Sequence, residues 1–149
     1  MSNTLTTETT VPTGPYAKDT HSVFIGYLLW ILGFTGAHRF YFGKPITGAI
    51  WLFTAGLLGV GWVIDLFLIP RMERTAEKKY VAGKYDYTVA WILHTYVLGV
   101  FGAHRFYLGK WVTGLLYLCT AGLLGVGFIY DFFTLNGQVS ERNMESAQA

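Results

Sequence analysis

The stretch "GAHRFYFGK" (Gly36 to Lys44) decides the fold, because it sets His-Arg against aromatic residues directly after an apolar run. It returns almost unchanged as "GAHRFYLGK" from Gly102 to Lys110. When the chain is aligned with itself at this offset, 22 of the 35 positions from 33 to 67 are identical to those from 99 to 133, without a gap. An internal repeat sets the domain organisation before any other feature. We therefore predict two copies of one unit, at residues 22–70 and 88–136.

The composition favours an integral membrane protein. Of the 149 residues, 52% are hydrophobic and only 13% are charged, whereas soluble domains carry about 25% charged residues. Apolar runs of about twenty residues between polar ends are typical of membrane spans. The net charge of +2 gives no reason to expect a nucleic-acid partner. The single cysteine, Cys119, lies within an apolar run and is interpreted as a small hydrophobic residue.

Three polar segments flank the copies. Residues 1–21 are rich in threonine and lack the basic and apolar regions of a signal peptide, so we expect a solvated, disordered tail. Residues 71–87 form a charged linker, and residues 137–149 a polar C-terminal tail.

Each copy contains a shorter and a longer apolar run. The longer runs, 46–69 and 112–135, have 24 residues each, which as helices reach about 36 Å and cross a bilayer core of roughly 30 Å. We expect them to end at Pro70 and at Asn136-Gly137. The shorter runs must borrow residues from the turn to span, and alternatively they are interfacial or re-entrant. We predict an all-α integral membrane protein whose four transmembrane helices form two tandem, parallel-repeat hairpins.

This arrangement places both turns on one side of the membrane and the linker and termini on the other. Basic residues are more numerous on the linker side, which favours a cytoplasmic location for the linker and both termini. In a bacterial cell, the membrane would be the inner (plasma) membrane. The linker and termini contain Lys18, Arg71, Arg74, Lys78, Lys79, Lys84 and Arg142, and the turns contain Arg39, Lys44, Arg105 and Lys110.

The repeated motif resembles the TM-2 domain family, small modules of two transmembrane helices joined by a short turn. The similarity covers about two thirds of the chain. Copy two departs from the family pattern at Phe128, which replaces a tryptophan. The resemblance implies a membrane module without an established biochemical activity. In animal relatives with a signal peptide the turn is expected to face the cytosol, opposite to the charge count, so orientation stays open. The matching residues are Gly36, His38, Arg39, Phe40, Tyr41, Gly43, Lys44, Trp62 and Asp65 in copy one, and Gly102, His104, Arg105, Phe106, Tyr107, Gly109, Lys110 and Asp131 in copy two.

The basic and aromatic residues of the turns have two interpretations. Guanidinium groups bind phosphate well, so the turns could contact lipid phosphate or an acidic group of a partner. Alternatively, they anchor the turn at the interface, where arginine and lysine snorkel and aromatic rings collect. The residues concerned are His38, Arg39, Tyr41 and Lys44, with His104, Arg105, Tyr107 and Lys110.

Asp65 and Asp131 lie near the far ends of the longer runs. A carboxylate within the membrane costs about 3 kcal/mol at mid-bilayer and suggests a functional site. It could be a helix-end polar residue, bind a buried donor that locks the helices together, or serve an ion or proton pathway. In a simple hairpin, Asp65 and Arg39 lie at opposite ends, so we predict no salt bridge between them.

Helical spacing back from Asp65 and Asp131 predicts an inward-facing seam for close helix packing. We interpret "TAGLLGVG" (Thr54 to Gly61, and again from Thr120) as part of this packing surface rather than as a broken helix of the kind found in transporters. The intramembrane polar candidates besides the aspartates are Thr54 and Thr120, and the helix-packing candidates are Ala55, Gly59, Gly61, Ala121, Gly125 and Gly127.

No pattern indicates catalysis or a bound cofactor. His94 replaces Leu28 of copy one, and we favour a hydrogen bond to a neighbour over a metal site. No nucleophile–base pair, phosphate loop or zinc spacing is present in the sequence, so an enzyme is disfavoured and no cofactor or metal is predicted. The leading hypothesis is a non-enzymatic scaffold or interaction module that contacts membrane lipids and a membrane-protein partner or a second copy. The alternative is a small ion or proton channel or transporter that uses Asp65 and Asp131.

Overall fold

The computed structural model describes residues 20–32, 35–96 and 99–149, which form eight helices and no strand. Of the predicted tail at residues 1–21, residues 1–19 lie outside this range. His21 at its end is buried against Tyr41 and Tyr87, so the prediction of a solvated tail is wrong there. Each copy contributes four helices in the same order: one before the turn motif, a short one within it, and two after it. They are α1 (Val23–Ile31), α2 (Ala37–Tyr41), α3 (Pro45–Leu58) and α4 (Val60–Glu77), then α5 (Tyr87–Thr95), α6 (Ala103–Tyr107), α7 (Trp111–Leu124) and α8 (Val126–Gln148).

The longer apolar run of each copy is broken, so the prediction of one continuous helix is wrong. Ala55, Gly56 and Leu57 have φ values of 50°, 70° and 53°, in the left-handed region, and residues 121–123 repeat this conformation. In copy two, the helix direction changes by 120° between α7 and α8. "TAGLLGVG" is therefore the corner of a helical hairpin, and its prediction as a mid-helix packing surface is wrong.

A threonine fixes each corner. The Thr54 hydroxyl donates to the Ile50 carbonyl oxygen (2.6 Å) and accepts from the Leu57 amide (3.1 Å). Thr120 makes the equivalent two bonds. Glycine adopts positive φ without cost, whereas each non-glycine residue in this region costs about 1–2 kcal/mol. The corner therefore raises the free energy of the folded state, and favourable contacts elsewhere in the fold must offset this increase.

The predicted helix ends at Pro70 and Asn136-Gly137 are also wrong. Helix α4 continues through Pro70 to Glu77, and α8 continues through Asn136 to Gln148. Asn136 does not end its helix, because its side-chain amide bonds to other elements rather than to its own backbone. Part of the predicted linker and nearly all of the predicted C-terminal tail are thus helical.

Within each copy, the first helix packs on the last one. In copy one, the rings of Trp30 and Trp62 stack at 4.4 Å, and each indole Nε1 donates to the other residue's carbonyl oxygen at 2.8 Å. In copy two, the Trp91 Nε1 of α5 donates to the Asn136 Oδ1 of α8 (2.6 Å). Buried indole N–H groups need such acceptors, so these bonds fix the register between the helices.

The two copies share one core. Asn136 Nδ2 donates to the carbonyl oxygens of Phe40 (3.0 Å) and Tyr41 (2.7 Å) in the other copy. The Phe40 ring lies 5.3 Å from Phe132 and 5.0 Å from Phe133. The copies therefore form one packed unit rather than two separate hairpins.

The linker lies beside both turns, so the prediction that it lies on the opposite side is wrong. Lys79 Nζ donates to the Gly43 carbonyl oxygen (3.1 Å), and the Asp86 amide donates to the Tyr107 hydroxyl (2.8 Å). The reason is the broken long run, which returns the chain to the side it left.

The end of α8 also holds the linker. The Asn143 Nδ2 donates to the carbonyl oxygens of Val81 and Tyr85, both at 3.0 Å, and Asn143 Oδ1 accepts from the Tyr85 amide (2.7 Å). A Cβ on Gly83 would lie 2.7 Å from the Asn143 side chain, which shows how closely the two segments approach.

None of the helices in the described part of the chain has, on its own, both the length and the apolar character of a membrane span. Helices α7 and α8 meet these criteria only together, across their 120° bend. With 14 residues, α3 is about 21 Å long, shorter than the bilayer core. Each hairpin corner is strongly exposed: Leu58 and Leu124 are both 91% exposed.

Candidate functional site

The corner in copy one brings together three charged or titratable side chains from the two ends of the repeat. Short helix α2 supplies His38 and Arg39, and α4 supplies Asp65. His38 Nε2 and Arg39 Nε each donate to Asp65 Oδ2 at 2.7 Å, and Arg39 Nη2 donates to Asp65 Oδ1. Asp65 and His38 are fully buried, and Arg39 is 7% exposed. We call these three residues the first polar cluster.

Copy two repeats the arrangement with His104, Arg105 and Asp131, the second polar cluster. His104 Nε2 donates to Asp131 Oδ2 (2.6 Å), and Arg105 donates to both carboxylate oxygens, at 3.1 Å and 2.6 Å. Gln138 Nε2 adds a fourth donor at 3.0 Å. The duplicated sequence therefore builds the same buried ion pair twice.

An aromatic ring from the helix after the turn covers each arginine. The Arg39 Cζ atom lies 3.6 Å from the centroid of Trp51, and Arg105 Cζ lies 4.1 Å from that of Tyr117. Arg105 Nη2 also donates to the Tyr117 hydroxyl (2.8 Å). A guanidinium over an aromatic face is attracted by the ring quadrupole, so the ring compensates part of the cost of burying the charge.

Two glycines of the predicted packing set make this approach possible. A Cβ on Gly61 would lie 2.5 Å from Trp51 Cζ2, and a Cβ on Gly127 would lie 2.5 Å from the Tyr117 hydroxyl oxygen. Glycine at these positions lets the last helix of each copy approach the ring that covers the arginine.

The prediction that Asp65 and Arg39 lie apart is wrong, because the longer run turns back instead of crossing. Arg39 and Arg105 do not extend towards lipid phosphate, since their side chains are buried against the aspartates. Of the three interpretations of the aspartates, the geometry matches the one in which a carboxylate binds a buried donor and locks helices together.

The other turn residues have separate places. The Tyr41 hydroxyl accepts from the Ser22 amide (2.7 Å) and bonds to the Thr88 hydroxyl (3.0 Å). Lys44 is half-buried at the start of α3. Lys110 Nζ donates to Gln138 Oε1 (3.1 Å), and Glu141 lies 3.8 Å away. Tyr107, as described, bonds to the linker. Tyr41, Tyr107 and Lys110 thus tie the turns to neighbouring segments.

The predicted inward seam does not form beyond Gly61 and Gly127. Thr54 and Ala55 are exposed at the corner, and Thr120 and Ala121 lie at the equivalent corner. Gly59 and Gly125 are left-handed residues with nothing within 4 Å of an added Cβ. Helical spacing fails here because the helix itself ends at the corner.

The hydrogen bond predicted for His94 does not form. His94 is fully buried, and neither of its ring nitrogens has a partner. The sequence signal was its exchange for Leu28 between otherwise matching copies. Asn136 is a second residue that sequence reasoning missed, because its counterpart is Pro70 and no repeat pattern marks it.

Comparison with known proteins agrees with the repeated site. The TM2 domain family matches residues 19–67 and 83–133, each of which contains one turn motif and its aspartate. The chain belongs to the TM2 domain family. As a member of this family it is a membrane protein, and the two matched segments confirm the tandem repeat.

Relatives with this domain occur in distant organisms. Two TM2 domain-containing proteins of Dictyostelium discoideum are 47% identical over 60 residues and 37% identical over 81 residues, covering 40% and 54% of this chain. Human TM2 domain-containing protein 1 is 46% identical over 55 residues, or 37% of this chain. The chain spans 39%, 56% and 26% of the length of these three relatives. No solved structure matches it significantly.

Proposed function

We propose that this TM2 domain protein is a non-enzymatic scaffold or interaction module, and that its polar clusters hold a membrane-embedded fold in shape. The observation that supports this proposal is the complete use of the Asp65 carboxylate, whose two oxygens accept from His38 and Arg39 in a buried site. Because both of its oxygens already accept from buried donors, Asp65 is poorly placed to bind an ion or a substrate. Arg39 is buried against this carboxylate and under Trp51, which favours a structural role for its guanidinium.

The outer surface supports an embedding in lipid. Many large apolar side chains are exposed on α3, α4, α7 and α8, whereas a soluble monomer usually exposes apolar surface only in patches of a few hundred Å². They include Ile46, Phe53, Leu58 and Phe67 in copy one and Val112, Leu115, Leu124 and Val126 in copy two. Lipid tails are the natural neighbours of such exposed apolar side chains.

We further propose that the hairpins enter and leave through the same leaflet, in place of the four full spans predicted from the sequence. The short length of α3 and the exposed apolar corners support this. The turns and the linker then share one face, where basic side chains meet lipid phosphate. These side chains are Lys44, Lys78, Lys79, Lys84 and Lys110. From the positive-inside rule we expect their face, with the termini, to be cytoplasmic.

Cysteine labelling in proteoliposomes tests this topology. Cys119 is the one cysteine of the chain and is exposed on α7, so it should resist a membrane-impermeant maleimide until detergent is added. In a Cys119→Ser background, Lys44→Cys and Lys78→Cys should label from the same compartment. Labelling of these two positions from opposite compartments would contradict same-leaflet hairpins and restore the four-span arrangement.

Ion flux separates the scaffold from the channel. We expect proteoliposomes to show no proton or alkali-cation flux above protein-free vesicles. Flux that disappears in Asp65→Asn/Asp131→Asn, while the variant keeps its helical circular dichroism spectrum, would overturn the scaffold proposal. A scaffold should also give a reproducible cross-linked species, either with a second copy or with one membrane-protein partner.

A further inference from the structure

His94 is a buried histidine in copy two, and its counterpart in copy one is Leu28. His94 lies on α5 among aromatic rings, with centroid distances of 4.5 Å to Phe128, 4.7 Å to Phe132 and 5.8 Å to Trp91. Its side chain is fully buried, yet neither ring nitrogen has a hydrogen-bond partner. A buried polar group without a partner is unfavourable and calls for an explanation.

A second unpartnered imidazole nitrogen lies beside it. The rings of His94 and His104 are 4.7 Å apart. His104 donates its Nε2 proton to Asp131 Oδ2 (2.6 Å), so its Nδ1 presents a lone pair, and that buried atom also has no partner. Metal-binding histidines usually donate their other ring nitrogen to a carboxylate in this way, which fixes the tautomer and raises the basicity of the ligand.

Together these residues bring two imidazoles with unpartnered ring nitrogens, and the carboxylate that orients one of them, into one place. A ring nitrogen of each histidine and a carboxylate oxygen of Asp131 lie within 4.8 Å of one another, and all three residues are buried. Because the Asp131 oxygens already accept four hydrogen bonds, the two imidazoles are the direct ligands. We propose that this cluster binds a single late first-row transition-metal ion, Zn²⁺ or Cu⁺. The proposal stands independently of the proposed scaffold function.

The donor set decides the class of ion. Imidazole nitrogen suits zinc and copper, whereas Mg²⁺ and Ca²⁺ prefer all-oxygen sites. Arg105 already neutralises Asp131, so the cluster has no net negative charge to attract a hard cation. Affinity must therefore come from the two imidazoles.

Copy one provides a natural comparison. It has the same histidine–aspartate pair, His38 and Asp65, but Leu28 stands where copy two has His94. The site is thus specific to copy two, and leucine is known to fit the equivalent position of the fold. His94→Leu is the corresponding minimal change.

The test measures metal bound to the full chain. Detergent-solubilised protein in a Cys119→Ser background, which removes a competing thiol, is stripped with chelator. It is then loaded with Zn²⁺, with Cu⁺ under reducing conditions, or with Mg²⁺, and desalted for elemental analysis. We expect one zinc or copper ion per chain and no magnesium. Competition with a chromophoric chelator should show affinity falling by more than about tenfold in His94→Leu, since even outer-shell changes cost 10–100-fold.

His21→Phe serves as the matched control, because it removes a buried histidine outside the cluster and should leave metal binding unchanged. Should His94→Leu lose its helical circular dichroism spectrum, His94→Gln replaces it. Failure of the wild-type chain to retain either ion, or equal retention by wild type and the His94 variant, would overturn the proposal.

Discussion

The buried ion pair of copy one predicts a large loss of stability on Asp65→Asn. The substitution keeps the shape of the side chain and removes its charge, so Arg39 keeps its charge in a site where it is 7% exposed. Removing one member of a buried pair costs about 3–5 kcal/mol. Trp51 continues to attract the guanidinium, an interaction of up to about 2 kcal/mol. We therefore expect Asp65→Asn to lower the free energy of unfolding by about 3 kcal/mol, near the lower end of that range.

The measurement is the free energy of unfolding in detergent micelles, from titration with sodium dodecyl sulfate followed by circular dichroism. Glu145→Gln is the control, because it breaks the exposed Arg142–Glu145 pair (2.8 Å), and exposed pairs contribute at most about 1 kcal/mol. The double variant Arg39→Met/Asp65→Leu should recover more than half of the loss, since replacing a whole buried pair by apolar residues is often nearly neutral.

This experiment also tests the hairpin corner. If Pro45 to Asp65 formed one straight helix, the two ends would be about 30 Å apart, and Asp65 could not reach Arg39. A cost below about 1 kcal/mol for Asp65→Asn, with no recovery in the double variant, would refute the ion pair and the corner together.

Three further predictions use the same unfolding assay. Ala55→Gly should stabilise the protein by about 1 kcal/mol, because Ala55 has φ 50° and left-handed alanine is costly; a continuous helix would instead lose about 1 kcal/mol. Asn136→Ala should cost about 2–4 kcal/mol, since it leaves the Trp91 indole and two carbonyl groups of copy one without partners; a cost below 1 kcal/mol would contradict the shared core. Burial lowers the pKa of His21 from 6.5 to about 4. The unfolded chain therefore binds a proton first, and stability should fall by about 3 kcal/mol as the pH drops from 6.5 to 4. His21→Phe should remove this dependence, and an unchanged pH profile in that variant would count against it.

The duplication, the helical class and the family could all be predicted from the sequence, because each rests on a long repeated pattern. The path of the long run could not. Alanine and leucine favour helix strongly, and hydropathy is the same for a straight helix and for a hairpin of equal composition. The glycines of "TAGLLGVG" were the visible signal of a corner, and a packing surface has the same spacing.

The polar clusters were missed for the same reason. His38, Arg39 and Asp65 were each singled out, but their contact depends on the corner between them. Without the corner, a straight helix would place Arg39 and Asp65 at opposite ends, too far apart for a salt bridge. His94 shows the opposite case, since its difference from Leu28 was visible in the alignment of the copies, while its orphaned nitrogens needed the fold.

The hydrogen bonds between Asn143 and the loop at residues 81–85 have a consequence for proteolysis. A single cut in that loop would leave the two copies on separate peptides. Asn143 of α8 would still bond to the Val81 end of the first peptide, and Asn136 would still bond to the backbone of copy one. The nicked protein should consequently migrate as one particle in native electrophoresis and fall apart into two peptides only under denaturation.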